Sequence, residues 1–271
     1  TETPTTTQHS IFSMKSSQSG QLFQSIHPST FWDKDHSIVP PNKNHPEIKM
    51  LDLSPIELPA SGTHTWTIIW MHGLGADGND FVPVARALGF QNVKYVFPNA
   101  PVAPVTLNYG MAMRSWYDIK TLDVVPDRES YDDVVASAEA INELIRTESE
   151  ILNGSDRIFL AGFSQGGAMA YHCGLRAETN LAGLICWSTY IVAPEKLESA
   201  MTPVGKSIPL FAAHGSFDAV VKFERGSESV ELVKSLSPER PVEFQSYPMD
   251  HEVCIEEVKA LKEWLVAAGV E

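Results

Sequence analysis

Residues 157–171 constrain this chain more than any other stretch. Ile158, Phe159, Leu160 and Ala161 form a short apolar run, the pattern of a strand buried on both faces. Helical spacing begins directly afterwards, with Ala168, Tyr171, His172 and Leu175 at i, i+3, i+4 and i+7. Between them lies Gly162-Phe163-Ser164-Gln165-Gly166, a G-x-S-x-G pentapeptide. A strand that turns directly into a helix strains its middle residue and lifts that side chain clear of the sheet. Glycine on either side removes the Cβ atoms that would collide. Ser164 is therefore expected over the N-terminus of the following helix, where unpaired N–H groups and the helix dipole favour developing negative charge. The plain alternative is a tight strand–helix turn with an ordinary serine. The pentapeptide alone is a weak signal, sharpened by the strand before it and the helix after it.

At 271 residues the chain is long enough for one large α/β domain or two small ones, and 43% hydrophobic against 20% charged residues can fill a substantial core. A formal net charge of −14 argues against nucleic acid or anionic lipid as a primary partner. The apolar runs, such as Thr67 to Met71, have strand length, so no membrane insertion is expected. No secretory signal is visible, although the chain begins at Thr1 and a removed segment is compatible with that. Cys173, Cys186 and Cys254 are odd in number and lack C-x-x-C spacing. The first two read as buried small hydrophobes, which suits a reducing, cytoplasmic setting without disulfides, metal or cofactor.

Residues 1–48 read as an irregular or disordered arm rich in Ser, Thr, Gln, Pro and His, and residues 49–271 as one domain. Ile11-Phe12, Leu22-Phe23 and Phe31-Trp32 are spaced apolar pairs that could anchor the arm on the domain. Strands are expected at 48–58 (an edge), 65–71, 93–97, 182–188, 208–215 and 242–247. Helices are expected from Phe81 to a stop at Gly89, from Tyr131 to Leu152 with Ser130 as cap and Gly154 as stop, at 223–236, and at 252–268. The last of these should bury Cys254, Val258, Leu261, Leu265 and Ala268. Pro98 to Ile119 reads as one long loop, and loops of that length inside a domain are usually functional. Strands joined through helices give an α/β class with a mostly parallel sheet covered on both faces.

Functional side chains of such a sheet gather just past the C-terminal ends of its strands. Ser164, Asp218 and His251 all pass that filter, in the chain order of an α/β-hydrolase triad. A serine hydroxyl needs a base to take its proton, which His251 can do before passing it to the leaving group. Asp218 would hold the imidazole tautomer and stabilise the imidazolium. Two N–H donors are needed for the oxyanion, and the backbone groups of Gln165 and Leu74 are the candidates. Activity is then expected to fall on the acid side as His251 takes up a proton. Each residue has a structural alternative: a loop carboxylate for Asp218, a helix-start residue for His251, strand-end support for His72 and His214. Leu107, Met111, Trp116 and Tyr117 are candidates for an apolar channel that accepts an acyl chain, with core filling as the alternative.

Several motifs then coincide in order: His72-Gly73-Leu74-Gly75-Ala76-Asp77-Gly78, Pro98-Asn99-Ala100-Pro101, Ser115-Trp116-Tyr117-Asp118, Gly162-Phe163-Ser164-Gln165-Gly166-Gly167, His214-Gly215-Ser216-Phe217-Asp218 and Pro248-Met249-Asp250-His251. Together they resemble the phospholipase/carboxylesterase family, which includes the acyl-protein thioesterases, over residues 65 to 268. The resemblance implies an α/β-hydrolase fold, Ser164, Asp218 and His251 as triad, Leu74 and Gln165 as oxyanion donors, an ester or acyl-thioester substrate, and a homodimer. It implies a serine carboxylesterase first, with a lysophospholipase or protein depalmitoylase acting on long chains as the alternative. A non-catalytic acyl-binding scaffold is the rival of another class. Tyr247-Pro248-Met249 resembles bacterial carboxylesterases more than animal thioesterases. Asp250 stands where members commonly carry glycine, and the arm has no counterpart in compact members.

Overall fold

The computed structural model describes residues 51–123 and 125–271. The expected arm, and residues 48–50 of the expected edge strand, lie outside the described residues. Within them the strands are β1 (Ile56–Leu58), β2 (Trp66–Met71), β3 (Val93–Phe97), β4 (Val102–Val105), β5 (Met111–Arg114), β6 (Ile158–Phe163), β7 (Gly183–Trp187), β8 (Leu210–Gly215) and β9 (Val242–Tyr247). The α-helices are α1 (Val82–Leu88), α2 (Tyr131–Leu152), α3 (Gln165–Leu175), α4 (Leu197–Ala200), α5 (Phe223–Leu236) and α6 (Ile255–Ala267).

Seven strands form one sheet in the order β1-β3-β2-β6-β7-β8-β9. β1 runs antiparallel to β3, and every other pairing in that sheet is parallel. Parallel neighbours need crossovers, which puts a core on each face. Alternation along the strands divides the side chains between the two. Ile69, Met71 and Leu160 enter one core, with Val134 and Ile141 of α2, Met169 of α3 and Val233 of α5. Ile68, Trp70 and Phe159 enter the other, with Leu88 of α1 and Leu261 and Leu265 of α6. Burial on both faces is why these strands read as unbroken apolar runs.

Most expected elements are present, and the differences have physical causes. The supposed loop from 98 to 119 contains the β4–β5 hairpin. Its apolar signal is weak because the ribbon is largely exposed and carries Pro104, which an edge ribbon tolerates. Its turn passes through left-handed Tyr109 and Gly110, at φ 56° and 75°. Ser130 makes no side-chain cap on α2; Asp133 Oδ2 instead accepts the Asp118 N–H at 3.1 Å. Asn153, at φ 57°, takes the left-handed closing position expected of Gly154. Every residue of α3 is buried, so its single apolar stripe understates a helix enclosed on all sides. α6 starts at Ile255, with Cys254 half-buried and Ala268 exposed. No helix among the described residues is long and apolar enough to cross a membrane.

Periodicity also hid Glu257, which α6 carries fully buried, with neither carboxyl oxygen hydrogen-bonded. Burial pushes this carboxyl well above the usual carboxylate range, outweighing the nearby Cys254 backbone amide, which favours the charged form. Raising the folded-state pKa above the unfolded one leaves stability intact below the unfolded pKa and removes it as pH rises toward the folded one. The limiting slope is about 1.4 kcal/mol per pH unit. Glu257→Met is therefore expected to stabilise the fold by about 1–3 kcal/mol near pH 8. Denaturant unfolding of both proteins at several pH values checks this: the gain should grow with pH, and a gain independent of pH would contradict the titration.

Candidate active site

The turn from β6 into α3 is as tight as its pentapeptide implies. Ser164 sits at φ 54° and ψ −121°, a backbone conformation that costs a non-glycine residue about 1–3 kcal/mol. A Cβ on Gly162 would stand 2.2 Å from the Gly166 carbonyl oxygen, and one on Gly166 would stand 2.3 Å from that of Met71. Only glycine fits at either place. The strained residue is held by its own backbone: its N–H donates to Trp187 O at 2.9 Å, and its carbonyl accepts from Thr189 Oγ1 at 2.6 Å and from the Ala168 N–H at 3.0 Å. Thr189, just past the end of β7, was not anticipated. The strand-end rule that selects Ser164 applies equally to this residue.

Asp218 follows β8, and its side chain has no exposed surface. Oδ1 accepts the backbone N–H groups of Val220 and Val221 at 2.9 and 2.8 Å, which fixes the carboxylate's rotation. Oδ2 then faces His251, accepting from Nδ1 at 2.7 Å. His214 lies beneath, with Nε2 donating to Val221 O at 2.8 Å and standing 3.4 Å from Asp218 Oδ2. Burial lowers its pKa, so it acts as a neutral support.

His251 is brought to Asp218 by two laced loops. Ser216 N–H donates to Tyr247 O at 2.7 Å and Phe217 N–H to Met249 O at 3.1 Å. A Cβ on Gly215 would stand 2.3 Å from Asp250 O, so glycine at that position permits the approach. Asp250 itself is absent from the residues with positive φ, so this loop does not require glycine there. The imidazole packs 4.7 Å from the ring of Phe163, the residue immediately before Ser164.

On the other side of Ser164 runs the loop after β2. A Cβ on Gly73 would stand 3.4 Å from Ser164 Cβ. Gly75 N–H donates to Arg114 O at 2.8 Å and Ala76 N–H to Gly73 O at 3.3 Å. The Leu74 N–H just before them donates to no backbone carbonyl among the described residues. His72 is fully buried, and burial lowers its pKa to about 4. Neutral, it donates from Nδ1 to Gly73 O at 2.7 Å and accepts the Ala100 N–H at Nε2 at 3.0 Å.

The four expected channel residues divide into two pairs. Trp116 and Tyr117 are each 1% exposed, with Trp116 Nε1 donating to His72 O at 2.9 Å and the Tyr117 hydroxyl 3.0 Å from that of Tyr190. They lie under the site and offer a bound chain no free surface, which corrects the expectation for this pair. Burial won because each ring has a polar tip with an internal partner. Leu107 is half-buried against the core, and Met111 is 60% exposed on the hairpin. A separate cavity of about 600 Å³ contains none of Ser164, Asp218 and His251. Its charged lining mixes Arg128, Arg225 and Lys196 with Asp127, Glu129, Glu195 and Glu228, so it carries no cationic excess that would select an anion. No group of three or more His, Cys, Asp or Glu side chains among the described residues could hold a metal ion.

A mostly parallel sheet with a serine elbow, an aspartate and a histidine past the ends of β6, β8 and β9 defines an α/β-hydrolase. The chain belongs to the phospholipase/carboxylesterase family, whose profile matches residues 55–268. Acyl-protein thioesterase 1 of Cryptococcus neoformans var. neoformans serotype D is 39% identical over 237 residues, covering 82% of this chain and 98% of the relative. Acyl-protein thioesterase 1 of Mycosarcoma maydis is 38% identical over 223 residues, covering 76% and 93%. Among solved structures, Zea mays acyl-protein thioesterase 2 superposes with a TM-score of 0.71 at 27% identity, covering 79% of this chain and 98% of that one. Both sequence relatives are fungal thioesterases, so the bacterial wording at 247–249 carries little weight. The chain is an enzyme of the hydrolase class, and a non-catalytic scaffold is set aside.

Proposed function

We propose that the chain is a serine carboxylesterase that cleaves carboxylic esters or thioesters through an acyl-Ser164 intermediate. The observation that carries this reading is the 2.7 Å contact of His251 Nδ1 with Asp218 Oδ2, packed against the strained elbow of Ser164. With Nδ1–H committed to the carboxylate, Nε2 is the basic atom. It takes the proton as Ser164 Oγ attacks the carbonyl carbon, and the oxyanion forms against the N–H groups of Leu74 and Gln165. Collapse breaks the bond to the alcohol or thiol, which leaves with the proton from His251. Water, deprotonated by the same imidazole, then cleaves the acyl-enzyme and restores Ser164.

A second reading, a lysophospholipase or protein depalmitoylase for long chains, is favoured by the thioesterase relatives. It is also favoured by exposed apolar side chains: Phe217 and Val220 on the Asp218 loop at 66% and 54%, and Met111 on the β4–β5 hairpin at 60%. Rates across p-nitrophenyl esters and acyl thioesters of increasing length separate the two. If the chain is bound along apolar surface, kcat/KM should climb with length by up to about 0.8 kcal/mol per buried CH₂. A maximum at acetate or butyrate would discard the long-chain reading and keep the short-chain esterase.

A further inference from the structure

We infer that the Gln165 side chain and the Trp116 indole are positioning residues that clamp the two oxyanion-binding loops together, so that the Leu74 and Gln165 N–H groups converge on one point. The inference rests on the acyl-serine reading and concerns two side chains that reading does not use. The two donors belong to loops after different strands, β2 and β6. Convergent donors lose their effect when displaced by a fraction of an ångström, so something must hold these loops in register. The two loops pass close enough at Gly73 that an added Cβ would stand 3.4 Å from Ser164 Cβ, and no hydrogen bond is made there.

The directional link runs through the 115–117 segment. Gln165, 2% exposed, uses both ends of its amide on that backbone. Oε1 accepts the Trp116 N–H at 2.8 Å, and Nε2 donates to Tyr117 O at 2.7 Å and to Ser115 Oγ at 3.2 Å. This two-sided pairing fixes the amide's orientation and, through it, the first turn of α3. Trp116 carries the constraint to the other loop, its Nε1–H donating to His72 O at 2.9 Å. His72 completes the circuit. Accepting from Ala100 at Nε2 requires the Nδ1–H tautomer, and that hydrogen donates to Gly73 O, one residue before Leu74. Ser137 of α2 anchors the bridge by donating from Oγ to Trp116 O at 2.5 Å. Core filling explains a buried indole, but not a buried amide whose hydrogen bonds all join the nucleophile's neighbour to one loop.

Gln165→Met keeps length and removes both ends of the bridge, and Trp116→Phe removes only the indole link to His72. Each should lower kcat on p-nitrophenyl acetate by about 10- to 100-fold with KM changed by less than about threefold. The inhibition constant of a trifluoromethyl ketone, which forms the tetrahedral oxyanion adduct, should rise by the same factor as kcat/KM falls. Trp116→Phe leaves the Gln165 amide and both of its backbone partners in place, which covers the case in which the methionine variant folds poorly. A kcat and ketone affinity within about twofold of the parent in folded variants would overturn the clamp, as would losses that follow melting temperature alone. If Ser164→Ala retains turnover, the acyl-serine reading itself falls. If Ser164 is the labelled nucleophile while Gln165→Met keeps its kcat, only the clamp falls.

Discussion

Ser164→Ala is expected to lower kcat on a simple ester by on the order of 10⁴- to 10⁶-fold, with the melting temperature within about 2 °C of the parent. The hydroxyl makes no cap hydrogen bond to α3, and the backbone bonds to Trp187, Thr189 and Ala168 do not involve it. Alanine keeps the same backbone strain at φ 54°. Residual turnover would reflect binding and the oxyanion donors alone. Circular dichroism and thermal melting, run beside the kinetics, separate loss of chemistry from loss of fold. Turnover within about tenfold of the parent would remove Ser164 from its role.

Asp218→Asn is expected to cost about 10⁴-fold in kcat without unfolding the domain, and the reason lies in which oxygen is replaced. Val220 and Val221 N–H groups both point at Oδ1, so an asparagine must place its carbonyl oxygen there. Its NH₂ then occupies the position of Oδ2, facing His251 Nδ1. Two donors cannot share that contact, so the imidazole shifts its proton to Nε2 and loses its basic atom. Kinetics, with fluorophosphonate labelling rates as an independent readout, test the argument. An Asp218→Asn enzyme within about tenfold of the parent would show that the orientation of His251 does not depend on this carboxylate.

Much of this arrangement is legible without coordinates because a parallel sheet reports its own active edge. Apolar runs mark where β6 and β8 end, the alternating Val242–Tyr247 marks the end of β9, and Ser164, Asp218 and His251 stand just beyond those ends. The exposed β4–β5 ribbon is illegible for the opposite reason: no buried face imposes alternation on it. Trp116 and Tyr117 look like substrate contacts because an aromatic in a long loop has the same composition signal whether it faces a ligand or the core. Their polar tips, satisfied at His72 O and the Tyr190 hydroxyl, decide the matter, and those are contacts between segments distant in the chain. Thr189 escapes for a related reason, since its hydroxyl acts on Ser164 O across two strands. Glu257 is hidden because a carboxylate in an amphipathic helix is ordinarily counted on the wet side.

Every step of the proposed turnover passes through one nucleophile, Ser164. Treating the protein with a fluorophosphonate, digesting it and locating the adduct by mass spectrometry tests that directly. A single phosphonylated residue at Ser164, formed in parallel with loss of esterase activity and absent from Ser164→Ala, is the predicted result. An adduct on another serine, or inactivation without modification of Ser164, would contradict it.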